Sequence, residues 1–101
     1  MPFVKVAAVS ELLPGQAKQV TVNGQTIALF NCNGTCYAID DACPHKSASL
    51  SQGRTAGSEV VCPWHMARFD LATGAHLSPP AKSGVRAYKV HVVGDEIQVE
   101  V

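Results

Sequence analysis

Residues 19–39 read QVTVNGQTIALFNCNGTCYAI, and this stretch decides the fold class. Val20 and Val22 alternate with Gln19 and Thr21, the period of a strand with one buried face. Asn23-Gly24 follows at once. Asn-Gly is the strongest short hairpin signal, because both central positions of the tight turn need positive φ. Thr26 to Cys32 then returns as a run apolar enough to be buried on both faces. Asn33-Gly34 turns the chain again into Thr35 to Ile39. Two consecutive hairpins in 21 residues predict an antiparallel meander.

The pattern extends outward in both directions. Val4 and Val6 alternate with Phe3 and Lys5 in a short first strand, and Glu11 to Gly15 reads as a turn. Arg86 to Val93 and Glu96 to Val101 flank Gly94-Asp95, a third hairpin with clean alternation at Ile97, Val99 and Val101. Between the hairpins lies a different region, Asp40 to Ala81, rich in Gly, Ser, Pro and turn signals. Its only strand candidates are Glu59 to Val61 and Ala67 to Leu71. No stretch of ten residues or more has helical periodicity. The expected architecture is all-β: an antiparallel sandwich or barrel over residues 1–101, one domain, with an inserted loop-rich subdomain at about 41–81. Such insertions on rigid supports commonly carry function.

The bulk numbers agree and exclude several classes. The chain has 101 residues, 47% hydrophobic and 16% charged, the composition of a small folded domain. Eight Lys/Arg balance eight Asp/Glu. No field of either sign draws the chain to nucleic acid or to an anionic membrane. The first residues lack the apolar run of a secretory signal, and no segment approaches the roughly 20 apolar residues of a membrane span. A cytoplasmic setting is expected, in which the four cysteines serve better as metal ligands than as disulfides.

The insertion holds Cys43-Pro44-His45 and then Cys62-Pro63-Trp64-His65, with sixteen residues between the two clusters. Each cluster supplies one soft thiolate and one imidazole, donors that suit zinc, iron or iron–sulfur. Each Cys precedes a proline, which disfavours α geometry at the Cys and keeps both segments extended or turned. Lys46 to Val61 contains Gly53 and Gly57 and can fold back, so that two similar loops face one centre. A structural zinc site of Cys2His2 type is the alternative, although zinc sites usually space their cysteines two to four apart.

The pattern C-x-H, sixteen residues, C-x2-H resembles the Rieske [2Fe–2S] proteins over nearly the whole chain. Leu50 and Gly53 after the first loop, Phe69-Asp70 and Thr73-Gly74 after the second, and Ser78-Pro79-Pro80 agree as well; Met66 stands where many members have Gly. The resemblance implies that Cys43 and Cys62 bind one iron and that His45 and His65 bind the other, outer one. It also implies a proline loop that shields the cluster from water. Two ferric ions, two sulfides, two thiolates and two neutral imidazoles sum to zero charge. An electron enters such a centre more easily than a four-thiolate one, so the potential is higher. Imidazole nitrogens not bound to iron can titrate and couple the potential to pH.

High-potential members of that family have a further Cys in each loop, where Ala48 and Trp64 stand here. They also have Ser and Tyr hydroxyls two and four residues after the second His, where this chain has Ala67 and Phe69. Each missing donor leaves the more negative reduced state less stabilised. The potential is therefore expected near the low end of the Rieske range, about −150 mV. The resemblance narrows to the soluble ferredoxin component of aromatic-ring dioxygenases, a non-enzymatic carrier of single electrons from a flavin reductase to a terminal oxygenase. The small subunit of NAD(P)H-dependent nitrite reductase is the alternative within the class, and a zinc-binding β interaction module the alternative outside it. Trp64 reads either as core filler or as part of an apolar patch with Pro44, Pro63 and Pro79; docking of partners is expected near His45, His65 and Trp64.

The remaining polar residues have plainer readings. In two-residue hairpins Cys32 faces Thr35 and Asn31 faces Cys36, so the two thiols point to opposite faces and form no disulfide; both are expected as buried small side chains. His76 and His91 read as surface or structural residues. Asp40, Asp41 and Lys46 border the first loop and read as solvated charge, with recognition of a partner as the alternative.

Overall fold

The computed structural model describes residues 3–42, 49–63, 67–75, 77 and 84–100. Among the described residues ten strands form three antiparallel sheets. They are β1 (Phe3–Ala8), β2 (Ala17–Val22), β3 (Gln25–Cys32), β4 (Thr35–Asp40), β5 (Arg54–Ala56), β6 (Glu59–Val61), β7 (Arg68–Asp70), β8 (Ala87–Tyr88), β9 (Val90–Val93) and β10 (Glu96–Glu100). The sheet orders are β1-β10-β9, β2-β3-β4-β8 and β5-β6-β7. Among the described residues the helical content is two single 3-10 turns, Val9–Glu11 and Leu50–Gln52.

The central meander forms as its turns dictate. Asn23 and Gly24 have φ of 51° and 79°, and Asn33 and Gly34 have 54° and 91°. Val22 pairs with Gln25 and Cys32 with Thr35, so both loops contain two residues. The continuous apolar run of β3 has a clear cause. Ile27 and Leu29 face one way, into a core with Ala38, Ile97, Val99, Leu12 and Tyr88. Ala28 and Phe30 face the other way, into a second core with Ile39, Leu50, Val60, Cys62, Ala67, Phe69 and Leu71. The β2-β3-β4-β8 sheet is thus the middle layer. The terminal sheet covers one face and the insertion covers the other, which is why β3 cannot show polar alternation.

Three expectations need correction. Arg86 to Val93 is not one strand. Its first part pairs with β4 (Ala38↔Tyr88, Ile39↔Ala87), and beyond Lys89 it pairs with β10 (Val99↔Val90). The chain changes sheets there, a device that joins the layers of packed sheets. In β1 the register shifts between Lys5 and Ala7, so the simple alternation through Val4 and Val6 breaks and Ala7 becomes the buried residue. The insertion also has a third strand, β5, joined to β6 by Gly57-Ser58 (Ala56↔Glu59).

Candidate metal centre

The base of the first loop is built on Asp41. As β4 ends, the Asp41 N–H donates to the Thr26 carbonyl (3.1 Å) and its own carbonyl accepts from the Leu50 N–H (2.7 Å). Ala42 and Ser49 form an antiparallel bridge. Asp41 is 3% exposed. Its Oδ2 accepts from Gln19 Nε2 (2.7 Å) and Ser49 Oγ (2.7 Å), and its Oδ1 accepts from the Ser51 N–H (2.8 Å). Burial by itself raises the pKa of this carboxyl. The hydrogen bonds from Ser49, Ser51 and Gln19 outweigh it and hold the group below the ordinary carboxylate value.

The reading as solvated charge is therefore wrong for Asp41, whereas Asp40 is half-buried and partly hydrogen-bonded. Asp40 accepts from the Tyr88 hydroxyl (2.5 Å) and the Arg86 N–H (3.3 Å), and Asp41 is a buried node. Sequence reasoning missed this because Asp41's partners include Gln19, 22 residues away. Ser49 and Ser51 gave only a faint signal.

The second loop closes more tightly. β6 delivers Cys62, whose N–H donates to the Ala67 carbonyl (2.7 Å), and β7 follows. Gly53, at the end of the Leu50–Gln52 turn, lies against the Val61 backbone; a Cβ there would run into the Val61 carbonyl oxygen. That contact sets the exit of the first loop beside the entry of the second. The Cys62 side chain is fully buried in the core with Leu50, Val60, Ala67 and Phe69. It lies at a recess of about 290 Å³ lined by Gln52, Gly53, Arg54, Val61 and Pro63. β7 also anchors the next segment: the Leu77 N–H donates to the Arg68 carbonyl (2.8 Å) and the Val85 N–H to the Gly74 carbonyl (2.7 Å). The ends of the segment bearing Ser78-Pro79-Pro80 are thus fixed beside the Cys62 loop.

Of the four expected ligands, Cys62 lies among the described residues. Cys43, His45 and His65 lie outside them, as do Lys46, Ala48, Trp64, Met66, His76 and Ser78-Pro79-Pro80. The Cys62 position suits an iron ligand. Apolar surroundings disfavour a bare thiolate, so a negative sulfur there calls for a positive centre. Among the described residues no group of three or more His, Cys, Asp or Glu is arranged to hold a metal ion elsewhere.

Cys32 and Cys36 are unbridged and only partly buried, on the two opposite sides of β3 and β4 as the hairpin register requires. Burial raises both thiol pKa values, which keeps them in the unreactive form. His91 stacks on Phe3 with centroids 4.0 Å apart, a structural role. No helix among the described residues is long and apolar enough to cross a membrane.

Comparison with known proteins gives the same answer. The model of the Rieske [2Fe-2S] domain matches residues 2–89. The ferredoxin component of the naphthalene 1,2-dioxygenase system of Pseudomonas putida is 35% identical over 98 residues, 97% of this chain and 94% of that protein. The structure of the ferredoxin of carbazole 1,9a-dioxygenase from Nocardioides aromaticivorans IC177 superposes with a TM-score of 0.92 at 38% identity, covering 98% and 97% of the two chains. More distant is the putative NADH-dependent nitrite reductase small subunit from Mycobacterium tuberculosis, at 26% identity and a TM-score of 0.89 over 99% and 96%. A match that spans both Cys/His clusters and the β scaffold sets aside the zinc module. The chain belongs to the Rieske [2Fe–2S] domain family and is an electron carrier built around one such cluster.

Proposed function

We propose that Cys43, His45, Cys62 and His65 hold the [2Fe–2S] cluster, and that the chain carries single electrons from a flavin reductase to the terminal oxygenase of an aromatic-ring dioxygenase system. When bound, the cluster takes up and gives back one electron. The chain's residues supply the rest. Cys62 contributes a thiolate from a dry, packed position, where surrounding groups need not reorganise as charge changes. His45 and His65 contribute neutral imidazoles, whose remaining nitrogens can hold a proton.

The burial of Cys62 at the mouth of a closed turn, in the second of two Cys/His segments, is the observation that carries the ligand reading. The similarity to dioxygenase ferredoxins at 35% and 38% identity supports the choice of partners. The nitrite reductase reading draws on a 26% identical structure and is the weaker one. Docking centres on His45, His65 and Trp64, works in the cytoplasm, and is brief, as a shuttle's contacts must be.

The test is direct. Purified protein should be brown-red, bleach on reduction, and contain two iron and two sulfide per chain. Replacing His45 or His65 by Ser should abolish cluster loading or move the potential. Wild-type behaviour in both variants, or stoichiometric zinc without sulfide, would overturn the ligand reading. For the partner, an aromatic-ring oxygenase should turn over with this carrier and a flavin reductase; reduction only of a sirohaem subunit would favour the nitrite reductase reading.

A further inference from the structure

We propose that Asp41 is a positioning residue for the cluster: its buried carboxylate ties together both ends of the segment that bears Cys43 and His45. The proposal rests on the ligand reading given above. Six residues, 43–48, lie between Ala42 and Ser49, which form a bridge. That bridge alone is one short rung. The carboxylate adds three more ties, each to a different place: Gln19 on β2, Ser49 where the segment returns, and Ser51 in the following 3-10 turn. Ser49 Oγ also lies 2.8 Å from Ser51 Oγ, which links the last two. The Asp41 backbone joins the same node through Thr26 and Leu50.

Three donors converge on the carboxylate of a residue that is 3% exposed, so both its oxygens have partners. A buried charge of this kind is poor evidence for stability, since desolvation offsets most of the attraction. Its effect is specificity. With all partners in place, the segment has one way to leave β4 and one way to re-enter the Leu50–Gln52 turn. Gly53 then carries that placement to Val61, next to Cys62. Asp41 thus sets where the first ligand pair stands relative to the second, without being a ligand.

Hydrogen bonding and charge make different demands, and this separates positioning from simple electrostatics. An Asn at 41 can keep most of the ties, because the Gln19 amide can turn round and the Ser49 hydroxyl can accept as well as donate. An Ala keeps none. The experiment compares Asp41→Ala, Asp41→Asn and Ile97→Val, the last in the other core and remote from the loops. Each variant is read for cluster release to a chelator, for the EPR signal of the one-electron-reduced protein, and for thermal unfolding.

The expected result for Asp41→Ala is release roughly tenfold faster or more, the consequence of losing charge-assisted bonds from a local opening equilibrium. Its EPR signal should be heterogeneous. Asp41→Asn should keep one signal and release close to wild type. Ile97→Val should lower the unfolding temperature without changing release. Should Asp41→Ala fail to fold, Ser49→Ala in the Asp41→Asn background removes a further tie and is expected to behave as Asp41→Ala does. Equal behaviour of the Ala and Asn variants, wild-type release in the most disrupted variant that folds, or faster release in Ile97→Val would each overturn the proposal. Failure of the ligand reading looks different: wild-type protein itself would show no Rieske EPR signal.

Discussion

Gly53→Ala is the substitution on which simple reasoning and the structure disagree in sign. Gly53 has φ −78° and ψ 171°, an extended conformation that any residue adopts. By chain entropy alone, Ala at such a position should stabilise the fold by about 0.4–1 kcal/mol. The surroundings reverse this. A Cβ on Gly53 would overlap the Val61 carbonyl oxygen, and the Leu50 carbonyl oxygen lies 3.2 Å away on another side. Both obstacles are backbone, so no side chain can swing aside. Relief requires parting β5 from β6 at Arg54↔Val61.

Both obstacles being backbone, the cost lies in the upper part of the overpacking range, about 2–3 kcal/mol, so the net loss is about 1–2 kcal/mol after an entropic gain of about 1 kcal/mol. For a domain of this size that lowers Tm by roughly 4–16 °C. Because Val61 precedes Cys62, the variant should also bind its cluster less tightly. Thermal unfolding of apo and holo protein, together with iron release to a chelator, measures both effects. A Tm at or above wild type would refute the reasoning: the Gly53–Val61 approach would then not be what brings the two loop segments together.

Two further outcomes follow from particular side chains. Tyr88→Phe removes the hydroxyl that bonds Asp40 and should cost about 1.5–3 kcal/mol in urea unfolding, the range of hydrogen bonds to charged groups. Burial, reinforced by Asp40, pushes the Tyr88 pKa up to about 12 from the ordinary value near 10. The folded state therefore favours the protonated phenol. That stabilisation is complete below about pH 10 and fades as pH rises through about 12, so the wild-type advantage over Tyr88→Phe should vanish at the alkaline end; an advantage constant to pH 12 would contradict this. The midpoint potential should lie below zero, near −150 mV, because Ala67 and Phe69 offer no hydroxyl. Ala67→Ser should raise it by about 40 mV, the equivalent of about 1 kcal/mol for one electron. A positive wild-type midpoint, or no rise in the variant, would show that these hydroxyl positions do not set the potential.

What the sequence made legible, and what it hid, divides along a physical line. The Asn-Gly turns carry their own instruction, since positive φ at two successive residues fixes loop length and hence register. The two Asn-Gly hairpins stand where those residues put them, and the third turns on Gly94-Asp95, with positive φ at Gly94. The break at Lys89 leaves no such mark. Periodicity reports that alternate residues are buried and is silent on which strand they pair with, so Tyr88 and Val90 look like one strand: both pack on the same core, but Tyr88 pairs with β4 and Val90 with β10. β5 was missed for a related reason. Arg54-Thr55-Ala56 is short and largely solvent-facing, and only the Gly57-Ser58 turn announced it.

The site shows the same division more sharply. Cysteine and histidine at fixed spacing are a chemical signal, readable because few other tasks need soft donors in that pattern. Asp41 is the opposite case. A carboxylate in a polar loop reads as solvated unless its donors are known, and one of them, Gln19, comes from a distant strand. The proposed ligands stand out by what they are, but the groups proposed to place them stand out only by what surrounds them. If that distinction is sound, damage at Asp41 and at Gly53 should have one feature in common: both should loosen the cluster more than they loosen the β1-β10-β9 layer. Amide exchange resolved by residue would decide it. Faster exchange confined to β10, with Ser51 and Cys62 unchanged in either variant, would mean that these two residues serve the scaffold and not the site.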